Sequence, residues 1–141
     1  MASGGNILAK EGVRELQIRL PPGWYLSDVR IEESRRSDSR VDAVAQLHAP
    51  SGQAGRIAFE TRARLAPKDV AVLAEYARAR AAQVQATLIV VAPYLSESTR
   101  ARLHERGVGY LDLTGNARVI RVGLVVTALL EVKDGGAEPF A

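Results

Sequence analysis

Apolar and polar positions along the first third of the chain follow two different periods. From Asn6 to about Leu20 the apolar residues recur at helical spacing, which predicts an amphipathic helix with Asn6 as its N-cap. Pro21 and Pro22 end that segment, because proline cannot continue a helix. Residues 24–32 have the mixed apolar and polar character of a strand with two different faces. We therefore expect the chain to open with a helix and then a strand.

Two further strands are predicted on either side of a short loop. Residues 40–48 and residues 56–62 both alternate between apolar and polar side chains. The loop between them, residues 50–55, is rich in turn-forming residues, so we expect the two strands to pair antiparallel as a hairpin. Within the second strand, Glu60 and Arg62 lie two residues apart and point to the same side.

The middle of the chain has the pattern of a helix followed by a buried strand. Pro67 suits the first position of a helix, and small apolar residues recur at helical spacing from there to about Gln85. Residues 87–91 form a continuous apolar run, which is typical of a strand covered on both faces. We expect this strand to pair parallel with residues 56–62 through a right-handed crossover.

The last third of the chain predicts one more helix followed by short strands. This helix begins at a serine cap, Ser96 or Ser98, and Gly107 is suited to stop it. The remaining predicted segments are strands at residues 108–113 and 117–122, an apolar segment at residues 123–132, and a linker or tail at residues 133–141.

Together these elements predict an α/β domain whose mixed β-sheet is flanked by helices. Their order begins α-β-β-β-α-β, and a helix and short strands follow. We expect a disordered leader at residues 1–5 and one domain at residues 6–132, ahead of the tail at residues 133–141. A length of 141 residues is normal for a single core.

Composition excludes several classes of protein. The chain has no cysteine, which excludes disulfides, thiolate zinc sites and a thiol nucleophile and fits a reducing cytoplasm. Its apolar runs are too short to span a bilayer and its first residues lack a signal-peptide pattern, so we expect no membrane partner. The sequence pI is about 9.6 and most cations are arginines. That balance indicates either a phosphate-rich partner or simply a GC-rich genome.

Two acids in neighbouring predicted strands lie in apolar surroundings. Asp42 and Glu60 each stand where a solvated charge is not the default, and the hairpin brings their strands together. Two carboxylates and a main-chain carbonyl suit Mg²⁺, which polarises a phosphodiester and lowers the pKa of an attacking water. Glu15 on the first helix can add an outer contact, and Arg62 can hold a phosphate oxygen. The competing interpretation makes both acids partners of arginines across the sheet.

This arrangement resembles the PD-(D/E)XK restriction-endonuclease-like superfamily, in which an aspartate and a glutamate bind metal and a lysine two residues later assists the nucleophilic water. The resemblance implies that Asp42 and Glu60 are catalytic ligands of Mg²⁺ and that Thr61 lends its backbone carbonyl. Arg62 stands where that family has lysine, and arginine keeps the charge but serves poorly as a base. Lys68, at the start of the next helix, is the candidate for a displaced lysine.

A second resemblance covers most of residues 40–125. The Glu-x-Arg string at residues 60–62, the helix after it and the Tyr-x-Asp-x-x-Gly-Asn string at residues 110–116 are similar to a group of actinobacterial proteins. These pair a restriction-endonuclease-like N-terminal domain with a C-terminal winged helix and are described as transcriptional regulators or AbiEi-type antitoxin relatives. No winged helix follows residue 141, so we expect an isolated domain or a part of a longer chain.

Basic residues near the acidic pair are the candidates for contacts with nucleic acid: Arg35, Arg36, Arg62, Arg64 and Lys68. A solvated exterior explains most arginines in this chain equally well. Another acid, Asp112, is predicted to cap the turn at residues 114–116 through backbone N–H groups rather than to serve in a site.

The sequence leaves three functions open. The first is a nucleic-acid-associated regulatory domain on a nuclease-like scaffold that has lost efficient chemistry. The second is a working Mg²⁺-dependent DNA endonuclease with Asp42 and Glu60 as ligands. The third is a protein-interaction domain that forms a homodimer through a sheet edge or its C-terminal segment. The placement of Asp42 relative to Glu60 decides whether a shared site exists at all.

Overall fold

The computed structural model describes residues 4–32 and 41–119 of the chain. Its α-helices are α1 (Gly4–Arg19), α2 (Val70–Gln83) and α3 (Glu97–Glu105), and a short 3₁₀ helix (Pro67–Asp69) leads directly into α2. The strands are β1 (Tyr25–Ile31), β2 (Ala43–His48), β3 (Ala54–Thr61), β4 (Thr87–Ala92), β5 (Gly109–Asp112) and β6 (Ala117–Arg118).

The described strands form one mixed sheet in which they lie side by side in chain order, from β1 to β6. β1, β2 and β3 pair antiparallel, β3, β4 and β5 pair parallel, and β6 returns antiparallel to β5. The α/β class and the element order α-β-β-β-α-β are therefore confirmed. The antiparallel hairpin and the parallel partner of residues 56–62 are confirmed as well.

Each face of the sheet carries its own hydrophobic core. On one face, α1 packs Leu8 and Leu16 against Ile57 and Phe59. On the other face, α2 and α3 pack against Ala58 and the alternate residues of β4. Because side chains alternate along a strand, residues of β3 separate cleanly between these two cores. The central strand β4 is apolar and buried from its second residue onwards, because both of its faces are covered.

Small residues allow the helices to approach the sheet closely. A Cβ atom added to Gly12 in α1 would lie 2.7 Å from Cγ1 of Val91, so glycine is required for this contact. In α2 the buried stripe is largely alanine, at positions 74, 77 and 81. Close packing of both helices produces a three-layer arrangement, in which the sheet lies between α1 on one face and α2 on the other.

Some boundaries differ from the predicted ones. α1 begins at Gly4, ahead of the predicted cap at Asn6. β2 begins at Ala43 because the chain bends at Asp42, and Val41 consequently packs into the α2 side rather than the α1 side. The predicted segments at residues 123–132 and 133–141, and most of the strand at residues 117–122, lie outside the described residues.

Among the described strands, β1 lies at one edge of the sheet, and two features there interrupt a regular edge. The register shifts between Ser27 and Arg30, where Asp28 adopts a positive φ of 51°. The backbone N–H of Leu26 donates to Oε1 of Gln17 in α1 at 2.9 Å. A bulge and a side-chain bond of this kind are common means of protecting a sheet edge.

Within the described part of the chain, no helix has both the length and the apolar character needed to cross a bilayer.

Candidate functional site

The two predicted acids meet where the end of β3 lies beside the start of β2. The backbone N–H of Asp42 donates to the carbonyl of Phe59 at 3.0 Å, one residue out of the β2–β3 register, which pairs Phe59 with Ala43. Ala43 and Phe59 face the α1 side, so by alternation along β3 Glu60 faces the α2 side and Thr61 the α1 side. The chain bends at Asp42, so alternation does not carry across this residue, and its carboxylate lies against Thr61. The two acids therefore lie on adjacent strands, and their sharing of one side stays a prediction.

Asp42 binds the end of β3. Its Oδ2 accepts hydrogen bonds from the backbone N–H of Thr61 at 2.8 Å and from the Thr61 hydroxyl at 3.0 Å. This carboxylate therefore satisfies a backbone N–H at the end of β3 and links β3 to the start of β2, which is a structural role.

Glu60 is 2% exposed, and two arginines hold its carboxylate. Nη1 of Arg62 donates to Oε2 at 2.8 Å, and Nη1 of Arg80 donates to Oε1 at 3.4 Å. The same Nη1 of Arg62 also donates to the carbonyl of Thr61 at 2.7 Å. One guanidinium nitrogen thus lies between two of the oxygen groups that the sequence offered as metal ligands.

Tyr76 lies beside both guanidiniums. The Arg80 guanidinium carbon is 4.6 Å from the centre of the Tyr76 ring and that of Arg62 is 5.5 Å away, within range of a cation–π contact. Arg62 also donates to the Tyr76 hydroxyl. Tyr76 and Arg80 are one turn apart on α2 and lie on its flank, beside the buried stripe of alanines. Glu60, Arg62, Tyr76 and Arg80 are called the guanidinium cluster below.

Burial and charge act against each other at Glu60. Burial raises the pKa of its carboxyl, the Arg62 hydrogen bond lowers it, and the nearby Asp42 carboxylate raises it again, so the net direction is upward. For Arg62, burial is the largest single influence and would lower the pKa of the guanidinium, but the hydrogen bond and charge of Glu60 together with the contacts to Tyr76 outweigh it, and the pKa rises. Arg62 is therefore a permanent cation and not a proton acceptor.

The predicted metal ligands do not fit a metal ion in this arrangement. Both oxygens of Glu60 and the carbonyl of Thr61 already accept from guanidinium N–H groups. In residues 4–32 and 41–119 there is no group of three or more acidic, histidine or cysteine side chains placed to hold a metal. With Arg62 in this position, its charge stands where a divalent cation would have to stand.

Other predicted site residues lie elsewhere. Glu15 pairs with Arg19 on α1 at 3.2 Å, and α1 covers the face of the sheet opposite Glu60. Arg64 and Lys68 are exposed in the connection between β3 and α2, and neither is among the partners found for Glu60. Arg35 and Arg36 lie outside the described residues.

The sequence does not predict that Tyr76 and Arg80 lie in the cluster around Glu60. Their spacing places both on one flank of a helix, but the sequence does not give the rotation of that helix relative to the sheet. The signal that existed was their position beside the predicted buried residues Ala77 and Ala81.

A second buried carboxylate, Asp112, has the turn-capping role predicted for it. Its Oδ1 accepts from the backbone N–H groups of Thr114, Gly115 and Asn116 and from the Thr114 hydroxyl. Its Oδ2 accepts from the backbone N–H of Leu95 and the Asn116 side-chain amide. Gly115 has a φ of 118°, as expected for this turn.

The chain matches no protein-family model, and no curated protein matches it significantly.

Proposed function

We propose that this protein is a nucleic-acid-associated regulatory domain that binds duplex DNA without cleaving it. The observation that supports the loss of chemistry is the position of Arg62 Nη1, 2.8 Å from Oε2 of Glu60 and 2.7 Å from the carbonyl of Thr61. A divalent cation at that point would meet a fixed positive charge within contact distance, which Coulomb repulsion opposes strongly at a buried site.

Arginine also removes the proton-transfer step. A lysine at position 62 could lose its proton and assist a water, whereas a guanidinium cannot at any physiological pH. Glu60 helps to raise the pKa of the Arg62 guanidinium further. Position 62 therefore keeps a cation but offers no group that can act as a general base.

DNA is the proposed partner because exposed cations lie next to the guanidinium cluster. Arg64 and Lys68 are exposed on the connection that leaves β3, and the Arg62 side chain is 30% exposed. The pI of about 9.6 favours association with a polyanion. In the proposal, Arg62 is held by Glu60 and contributes its exposed edge, while Arg64 and Lys68 contact phosphates. Such a domain regulates by occupying DNA, and the cytoplasm is its proposed compartment.

The specific observation that favours the alternative, a Mg²⁺-dependent DNA endonuclease, is that Asp42 and Glu60 lie on adjacent strands, near enough for the Asp42 carboxylate to raise the pKa of Glu60. The deciding assay incubates the protein with supercoiled plasmid and Mg²⁺ or Mn²⁺. We expect no nicking by the natural protein. Nicking that disappears in folded Asp42→Ala and Glu60→Ala variants would establish the endonuclease and overturn our proposal.

Binding is tested with a labelled DNA duplex by fluorescence anisotropy over a range of salt concentrations. The double variant Arg64→Ala/Lys68→Ala should bind more weakly, and its log–log salt slope should be smaller by about 2, one for each phosphate contact removed. Lys10→Ala, an exposed lysine on α1 at the opposite face, is the matched control and should bind like the natural protein. Equal affinity of the double variant, or no binding at low salt, would refute the proposed partner.

A further inference from the structure

One part of the sheet face on the α2 side is not covered by α2. The cross-strand register places Tyr25, Ser27 and Arg30 of β1 opposite His48, Gln46 and Val44 of β2, and it places Arg56 of β3 opposite Gln46. α2 covers β3 from Ala58 onwards, where exposure falls to 0%, whereas Arg56 is exposed. We call the surface formed by Tyr25, Ser27, Arg30, Gln46, His48 and Arg56 the open face.

A stacked pair of rings lies at one end of the open face. The Tyr25 and His48 rings are parallel to within 4°, with their centroids 4.4 Å apart. Ser27 Oγ lies 2.6 Å from Nε2 of His48 and donates to Oδ2 of Asp28 at 3.1 Å, so a hydrogen-bonded hydroxyl orients the histidine ring. Tyr25 nevertheless remains 51% exposed. A rigid aromatic ring that is fixed on one side and open to water on the other is suited to stack a nucleobase.

Two guanidiniums follow the ring pair along the face. Nη1 of Arg56 donates to the carbonyl of Val84 at the end of α2 at 2.8 Å, which fixes the side chain across the groove between sheet and helix. Arg30 is exposed one row further along. Asp28 lines the cavity beside Arg30, Gln46 and Arg56, and Glu32 lines the adjoining cavity, so the two guanidiniums stand against two carboxylates along the groove.

The space above these residues is a continuous groove. A cavity of about 340 Å³ lies over Arg30, Gln46 and Arg56. It adjoins one of about 390 Å³, because both are bounded by Arg30, Val44 and Val84. The apolar floor of Val44 and Val84 suits the face of a base, the Gln46 amide can bond a base edge, and the guanidiniums suit phosphates.

We propose that the open face binds single-stranded nucleic acid, with a base stacked on Tyr25 and phosphates held by Arg30 and Arg56. This inference shares the nucleic-acid partner of the proposed function but uses a different surface and a different form of the ligand. An acidic peptide is the competing occupant, since it would also pair with the two arginines, but it would not use the aromatic ring.

The test measures fluorescence anisotropy of a labelled oligothymidylate of about ten nucleotides, a length within the usual site size. Tyr25→Ala should weaken binding about ten-fold, the effect typical of losing one base stack, while Tyr25→Phe should retain most of the affinity. Arg56→Ala should weaken binding and reduce its salt dependence. Ile18→Ala, which removes a 66% exposed apolar side chain on α1 at the other side of the sheet, is the control and should change nothing.

The same assay separates this proposal from that for duplex DNA. Arg64→Ala/Lys68→Ala should weaken duplex binding and leave oligothymidylate binding unchanged, and Tyr25→Ala should do the reverse. Duplex binding without single-strand binding would overturn the open-face proposal alone, and the absence of both would overturn both. A polyglutamate peptide that competes as well as the oligonucleotide, together with an unchanged affinity of Tyr25→Ala, would assign the face to an acidic peptide instead.

Discussion

Glu60 and Asp112 are both buried carboxylates near the ends of parallel strands, yet they are stabilised by different kinds of partner. Asp112, at 0% exposure, accepts from the backbone N–H groups, the hydroxyl and the side-chain amide of its own turn. It also accepts from the backbone N–H of Leu95. Glu60, at 2% exposure, depends on the tips of two long arginine side chains and has a second carboxylate nearby. The local turn supplies donors without adding charge, whereas the guanidinium cluster balances charges that each lose hydration.

The pKa directions of the two groups differ accordingly. Burial would raise the pKa of Asp112, but the bonds from Asn116, Leu95 and Thr114 outweigh it and the pKa is lowered. At Glu60 burial prevails and the pKa is raised. The fold therefore favours the ionised form of Asp112 and disfavours the ionised form of Glu60 relative to water.

The largest effect is expected from Asp112→Asn. The amide NH₂ cannot accept, so at least one oxygen position faces donors that lose their partner inside the core. We expect the free energy of unfolding to fall by about 3 kcal/mol, measured by urea denaturation. Asp69→Asn, an exposed acid in the 3₁₀ turn before α2, is the matched control and should change stability little.

Arg62→Ala should have an intermediate effect. It leaves the buried Glu60 carboxylate with the longer contact to Arg80 alone. Because the Arg62 side chain is 30% exposed, we expect a loss of about 1.5 kcal/mol, below that of a fully buried pair. The same substitution in a Glu60→Gln background should cost clearly less. Equal costs in both backgrounds would show that Arg62 stabilises through packing on Tyr76 and not through Glu60.

Glu60→Gln should cost little, within about 1 kcal/mol, despite the burial of the side chain. Glutamine keeps the shape, its oxygen still accepts from Arg62, and the repulsion from Asp42 is removed. Urea denaturation of Glu60→Gln beside Asp112→Asn compares the two carboxylates directly. A loss as large as that of Asp112→Asn would mean that the two acids are equivalent anchors, and the contrast between them would fail.

The smallest effect is a difference in pH dependence with opposite signs. The raised pKa of Glu60 contributes stability that is fully present below its ordinary value of 4.5 and is lost as the pH rises through the raised value. The lowered pKa of Asp112 contributes stability that is present above 3.8 and is lost as the pH falls. Unfolding measured across the acidic range should therefore show that the free energy of unfolding of Glu60→Gln rises relative to that of the natural protein as the pH increases. The deficit of Asp112→Asn should shrink as pH falls, and parallel curves would contradict both directions.

Much of this arrangement follows from local patterns. The turn around Asp112 is predictable because Gly115 supplies the positive φ and the acid precedes a run of N–H groups. The adjacency of Asp42 and Glu60 is predictable because a short loop joins two alternating strands, which sets their pairing.

What the sequence does not contain is the relation between elements that are distant in the chain. Arg80 reaches Glu60 because of how α2 is rotated above β3, and Glu15 fails to reach it because α1 lies on the other face of the sheet. Both outcomes depend on packing of whole helices, for which apolar periodicity gives the buried side but not the neighbour. The pairing of Arg62 with both Glu60 and Thr61 likewise depends on a side-chain conformation that spacing leaves open.

The bond from Leu26 to Gln17 links the edge strand to the last turns of α1. Any additional strand laid along β1 would have to break this link and straighten the distortion at Asp28 before its backbone could pair. Growth of this molecule into fibres from that side therefore requires loss of the Gln17 bond, and substitution of Gln17 should make aggregation easier without changing the core.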